Sequence, residues 1–243
     1  MSTRAEHEIE HGRKLLEGGA ESIWGWGTPA GQVRARRRAE WIVRAAGLTA
    51  GKRVLEIGCG TGIFTEFFAA TGAEVTGVDI SEDLLEVARG RGLPPNVRLV
   101  RAAFEDLPTS EPFDAAVGSS VLHHLEIRPE LARIFRLLKP GGLIAFGEPN
   151  MLNPQILIQK NMRWVKERAG DSPDETAFFR WQMRALLREA GFGEVTVTPL
   201  DWLHPLTPAP WLEFAQKAGF ALEKIPVLKE IAGSIYIRAR RVN

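Results

Sequence analysis

Cysteine is almost absent from this chain. Cys59 is the single one, so no internal disulfide framework exists, and a reducing compartment such as the cytoplasm is the expected home. Charge of one sign is also lacking. Thirty-one basic residues against 30 acidic ones leave a net charge of +1, without the basic surplus of a typical nucleic-acid binder. No run of about 18 apolar residues occurs, which excludes an apolar membrane-spanning helix. The N-terminal stretch MSTRAEHEIEHGRK has no apolar core, so no signal peptide is expected. Repeats and low-complexity tracts are missing too. What remains is 243 residues, 44% of them hydrophobic, enough for one large α/β domain.

Within it, Val54-Leu-Glu-Ile-Gly-Cys-Gly-Thr-Gly62 is the most informative segment. An apolar run from Arg53 to Ile57 reads as a buried strand. It enters three alternate glycines, Gly58, Gly60 and Gly62. A helical pattern follows, with Phe64, Phe67 and Phe68 on one face. Such a strand–glycine–helix corner lets a ligand approach the backbone. Its spacing differs from a dinucleotide fingerprint, because Ile63 stands at the third glycine position. Further strands are expected at Ala73 to Val78, Asn96 to Val100, Phe113 to Gly118 and Leu143 to Gly147. A helix from Arg133 to Lys139 and a Pro140-Gly-Gly142 turn precede the last of these. This alternation predicts a parallel sheet covered by helices. Asp79 ends the second strand, 17 residues after Gly62, near the spacing of about 20 for an acid that holds ribose hydroxyls.

On these residues the chain resembles the class I S-adenosylmethionine-dependent methyltransferases. The likeness is good over residues 50 to 150 and loose elsewhere. It implies a doubly wound, seven-stranded, mostly parallel Rossmann-like sheet, with the last strand antiparallel beside the sixth. It also implies S-adenosyl-L-methionine as cofactor and a methyltransferase activity. The sixth and seventh strands are expected at Glu194 to Pro199 and Ser234 to Arg241. Residues 1–50 are expected to form an N-terminal helical cap or lid, with a helix from Arg34 to Ala46. Residues 51–243 then form the methyltransferase domain, and 151–180 an inserted, lid-like helical segment. In that insert Met151 to Ala169 reads as one helix, and Ser172-Pro-Asp-Glu175 as the start of another. Helices are also expected at Trp181 to Ala190 and Trp211 to Ala218.

The candidate cofactor residues are Glu56, Gly58, Cys59, Gly60, Gly62, Asp79, Ile80, Ala103, Phe104 and Ser119. Asp79 competes with a role as helix cap, but Ser81 serves that role at least as well. Where many relatives carry an acid for the adenine amino group, this chain has Ala103, leaving the backbone of Ala103 and Phe104, or the acids Glu105 and Asp106. His123 and His124 follow the fourth strand at the carboxyl end of the sheet, where open α/β sheets bind ligands. Either one is a candidate general base. No metal is expected, because adjacent histidines point apart and no third ligand is apparent. Glu148 is a third catalytic candidate, as an acceptor of a hydrogen bond from substrate or as a loop salt bridge. The basic run Arg34 to Arg38 reads as a solvated helix face.

Trp24, Trp26, Trp164, Phe178, Phe179, Trp181, Trp202 and Trp211 lie outside the motifs. They suggest a small, partly apolar acceptor, lipid-like or a secondary metabolite, methylated on O, N or C. A monomer or homodimer is expected. The alternatives are a non-catalytic S-adenosylmethionine-binding protein and a nucleic-acid or protein methyltransferase. Against the nucleic-acid alternative, Ser119-Ser-Val-Leu stands where an Asn/Asp-Pro-Pro-Tyr/Phe motif would be. Radical chemistry with the same cofactor would need three cysteines for its cluster.

Overall fold

The computed structural model describes residues 12–13, 19–108, 111–162, 164–166 and 176–242. Seven strands form one sheet: β1 (Arg53–Ile57), β2 (Glu74–Asp79), β3 (Val97–Arg101), β4 (Phe113–Ser119), β5 (Leu138–Pro149), β6 (Phe192–Leu200) and β7 (Ser234–Arg241). Their spatial order is β3-β2-β1-β4-β5-β7-β6. β1 to β5 run parallel, whereas β7 pairs antiparallel with both β5 and β6. The expected Pro140-Gly-Gly142 turn lies inside β5. There the pairing jumps from Phe113↔Leu138 to Ala115↔Leu143, and the extra residues bulge.

Side chains alternate across the sheet, so each face has its own core. On one face Leu55, Ile57, Ala116, Ile144, Phe146 and Ile237 pack with Leu131, Ile134, Met183 and Leu187. Those partners come from α5 (Ile127–Leu137) and α7 (Arg180–Glu189). On the other face Val54, Val75, Ala115, Val117 and Ala145 meet Ala35, Ala39, Ile42, Phe64 and Phe68. These belong to α2 (Pro29–Ala46) and α3 (Ile63–Ala69). Helix α2 is therefore a layer of the sandwich and not a cap. It begins earlier than expected because Thr28 accepts a hydrogen bond from the Gly31 N–H at 2.9 Å and Pro29 occupies the first turn. It stops at Gly47, whose φ of 62° suits glycine.

Before α2 lies the short α1 (Ala20–Ile23), and α4 (Glu82–Gly90) follows β2. Ser81 caps α4 through the Leu84 N–H. After β5, α6 (Pro154–Asn161) is capped by Asn153 and buries none of its residues. The expected long helix from Met151 breaks at Met162, which is extended. Helix resumes over residues 164–166, and the rest of the stretch to Ala169 and the Ser172 helix start lie outside the described residues. α8 (Leu212–Leu222) carries exposed Phe214 and Phe220. Among the described residues no helix is long and apolar enough to cross a membrane.

Candidate active site

The loops at the carboxyl ends of β1 to β4 surround a cavity of about 1090 Å³, roofed by residues 22–26 and 153–160 and closed at one end by 201–206. Pockets for drug-sized ligands run to about 300–1,000 Å³, so this cavity stands at the large end of that range.

At one end β1 runs into the glycine turn. Gly58, Gly60 and Gly62 all have positive φ, at 65°, 51° and 82°. Only two of them border the cavity. A Cβ on Gly62 would lie 3.1 Å from the Ala88 Cβ, so this glycine serves the packing of α3 on α4. Gly58 admits Val121, which a Cβ would meet at 2.4 Å. At Gly60 the nearest neighbour is the Trp24 ring, 3.3 Å from a would-be Cβ. The turn is tied to β2 by its backbone: Gly58 N–H and Cys59 N–H donate to the Val78 carbonyl. Asp79 accepts from the Gly60 N–H at 2.8 Å and the Ser81 N–H at 2.9 Å. Its half-buried carboxylate thus stands on the cavity wall in a fixed direction. Ile80, Leu84, Ala103 and Phe104 form an apolar slot beside it, with Glu105 at the rim.

Glu56 and Cys59, both expected at the cofactor, stand differently toward the cavity. Glu56 is 2% exposed, does not line the cavity and accepts a 2.6 Å hydrogen bond from the Thr65 hydroxyl. Burial pushes its carboxyl up to about 8, against the lowering by Thr65, and the Asp79 charge adds to the rise. Cys59 lines the cavity, but burial, with the charges of Asp79 and Glu56, pushes its thiol well up, so its sulfur is no nucleophile.

Beyond the turn, His123 sits buried in the cavity wall, and its Nδ1 lies 2.6 Å from Glu148 Oε2. Glu148 does not reach the cavity. It is fully buried, and its Oε1 accepts from the Val121 and Leu122 N–H groups at 3.0 Å each. Burial alone would raise its carboxyl. The His123 hydrogen bond and charge and the two backbone donors outweigh burial and hold it below the ordinary carboxylate range. An ionised carboxylate only accepts, so the Nδ1 of His123 carries a proton, and in the neutral ring the lone pair falls to Nε2. The Glu148 assignment is thereby corrected from substrate contact to holding His123. His124 is half-buried, borders the cavity and lies ring against ring with His123 at 4.3 Å.

The opposite wall was not foreseen. Arg38 is 2% exposed and donates to Ser119 Oγ and Ser120 Oγ at 3.0 Å and to Ser234 Oγ at 2.7 Å. Its neighbour Arg34 donates to Asp201 Oδ2 at 3.1 Å. Trp26 lies under both guanidiniums, 5.2 and 5.1 Å from its ring centre. The basic run is thus turned inward at positions 34 and 38, and only Arg36 among its arginines is exposed. The signal was present, since Arg38 shares a helical face with Ala35, Ile42 and Ala46. Ser119, expected at the cofactor, is engaged by Arg38.

The methyltransferase domain family matches residues 54–142, the stretch that builds the glycine turn, Asp79 and His123. A ubiquinone biosynthesis O-methyltransferase of Bordetella bronchiseptica is 40% identical over 129 residues, covering 50% of this chain and 52% of the relative. The chain spans about half the length of such relatives. Among solved structures, an S-adenosylmethionine-dependent methyltransferase of Thermotoga maritima superimposes with a TM-score of 0.67 at 21% identity, over 96% of this chain and 99% of its own. A Haemonchus contortus phosphoethanolamine N-methyltransferase in complex with S-adenosylhomocysteine gives 0.64 at 17% identity, over 90% of this chain and 56% of its own. At such identities the structural likeness speaks for the fold, and the sequence match speaks for the motif region. The motif and these matches place residues 54–142 in the methyltransferase domain family, on a strand order and fold shared with S-adenosylmethionine-dependent methyltransferases.

Proposed function

We propose that this chain transfers the methyl group of S-adenosylmethionine to a hydroxyl oxygen of a small, partly apolar acceptor. One observation carries the reading: a single cavity joins the glycine turn and Asp79 to the buried His123–Glu148 pair. The cofactor, when bound, supplies a methyl made electrophilic by its sulfonium. The backbone of Gly58 to Gly60 would hold its methionine part. Asp79 would hold the ribose hydroxyls, and Ile80, Ala103 and Phe104 would flank the adenine. The cradle suits such a ligand, because Gly60 bears no side chain where the cavity begins.

The chain's own chemistry is positioning and proton removal. Fixing two reactants in a closed site supplies about 7–11 kcal/mol of the barrier lowering. An acceptor hydroxyl must also lose its proton, and a positioned imidazole contributes about 100- to 10,000-fold. Glu148 favours the imidazolium that results. Trp24, Trp26, Leu203 and Leu206 give the remaining space an apolar lining. The names of the sequence relatives support oxygen as the methylated atom.

The test is transfer of labelled methyl from S-adenosylmethionine to a panel of phenols and catechols. His123→Ala is expected to keep S-adenosylhomocysteine binding and lose at least about 100-fold in turnover. A wild-type protein that binds S-adenosylhomocysteine yet labels no acceptor would be a binding protein, and the proposal would fall.

A further inference from the structure

Glu130 stands in the first turn of α5, lines the cavity and is 8% exposed. Glu105 and Glu126 line the same end, but both are exposed to solvent. Glu130 is therefore the buried acid of this group. Its Oε2 has no hydrogen-bond partner among the described residues. Folded proteins rarely leave a buried polar oxygen in that state, and a ligand that donates to it removes the cost.

The neighbours of Glu130 do not remove that cost. Burial raises its carboxyl most, and the charges of Glu105 and Glu126 add to the rise, against the lowering by Arg133 and Arg136. Arg133 donates instead to the Leu107 carbonyl at 2.8 Å, and its guanidinium lies over the Phe104 ring, 5.6 Å from the centre. A place in the first turn of a helix favours a negative charge, but it does not call for burial.

Arg133 also shows which way Glu130 faces. Residues three apart share a helix face. α5 begins after the carboxyl end of β4, so its first turn is the one nearest the cavity. With Arg133 lying over Phe104, Glu130 stands one turn closer to the cavity above the same turn after β3. That turn supplies Ala103 and Phe104 to the apolar slot, which Ile80 and Leu84 complete. Such side chains grip the faces of a flat ring and cannot read its edge. A carboxyl beside them can.

We infer that Glu130 selects the base of the cofactor: its carboxylate accepts a hydrogen bond from the exocyclic amino group of adenine and rejects a 6-oxo purine. A carboxylate only accepts, so a purine carbonyl at that position sets acceptor against acceptor in a buried place. Discrimination then comes from the repulsive pair as much as from the attractive one. This inference rests on the placement of adenine in the slot given above and names the residue that reads its edge.

Calorimetry with S-adenosylhomocysteine and S-inosylhomocysteine, which differ at that one purine position and its adjoining proton, tests it in mildly alkaline buffer. The wild type is expected to bind the adenosyl compound at least about tenfold more tightly, a difference of about 1.4 kcal/mol. Glu130→Ala should weaken adenosyl binding about tenfold and bring the two ligands close together. Glu130→Gln has an amide that can turn either an acceptor or a donor to the base. It should keep most of the adenosyl affinity and gain affinity for the inosyl compound, an outcome that a merely structural role for Glu130 does not produce. If Glu130→Ala does not fold, Glu130→Gln decides alone. Equal binding of the two ligands by the wild type, or a preference undiminished in Glu130→Gln, would overturn the assignment while S-adenosylhomocysteine binding upholds the cofactor site. A wild type that binds neither compound would overturn the cofactor placement and this inference with it.

Discussion

Glu56 and Asp79 end neighbouring strands, yet water treats them differently. Glu56 is sealed under the glycine turn and keeps its proton up to about 8, chiefly through burial. An unfolded glutamate ionises near ~4.3. As pH rises between these values the unfolded chain releases a proton that the folded chain retains, so unfolding becomes easier. The contribution of Glu56 is complete below about 4 and is lost as pH approaches 8. The urea midpoint of wild type is expected to fall across that window, and Glu56→Gln should flatten the fall. Identical profiles for the two proteins would show that Glu56 is not protonated when folded. Asp79 instead joins Gly60 to Ser81 through ionic hydrogen bonds. Asp79→Ala should weaken S-adenosylhomocysteine binding by about 1.5–3 kcal/mol, the usual worth of a hydrogen bond to a charged group. Unchanged affinity would reduce Asp79 to a loop tether.

The turn from β4 into α5 owes its shape to β5. Residues 121–123 have no ladder partner, and Glu148 takes up two of their N–H groups and the His123 ring with one carboxylate. Glu148→Gln preserves an acceptor for the backbone but loses the charge that favours the imidazolium. Turnover should drop and its acid limb shift, while stability changes little; an unaltered pH profile would sever Glu148 from the chemistry. Glu148→Ala strands all three donors in the interior, and a loss of about 3–5 kcal/mol is expected on thermal unfolding. This arrangement also marks how far the sequence could be read. The strands, the glycine turn and the place of His123 follow from local pattern, since apolar runs and glycines declare themselves over a few residues. Whether Glu148 points to substrate or inward depends on the β-sheet pleat and on a loop 25 residues away. The partners of Arg38 lie 81, 82 and 196 residues distant, and no local period reports them. The burial of Arg38 itself was legible from its helical face; the run of neighbouring arginines masked it.

At the scale of the molecule, the cavity is walled by the sheet and roofed by segments that the sheet does not hold. Trp24 overlies Gly60, and α6 touches the opposite rim without burying a residue. We predict that both segments slow their hydrogen exchange when S-adenosylhomocysteine binds, as closing elements that exclude water do. Protection around Trp24 and Trp26 and over residues 151–162 would bear this out. Protection confined to residues 54–108 would make them rigid walls. The placement of β7 has a consequence for how the chain is born. It leaves the ribosome after both β5 and β6, yet it sits between them. Until Ser234 and its successors emerge, β6 has no neighbour to pair with and Arg38 lacks one of its anchors. Translation can finish the glycine turn early, but the wall around Arg38 stays open until Ser234 emerges. A nascent chain stalled before Ser234 should present two strands' worth of unfinished edge to proteases and chaperones, which pulse proteolysis of stalled chains would reveal.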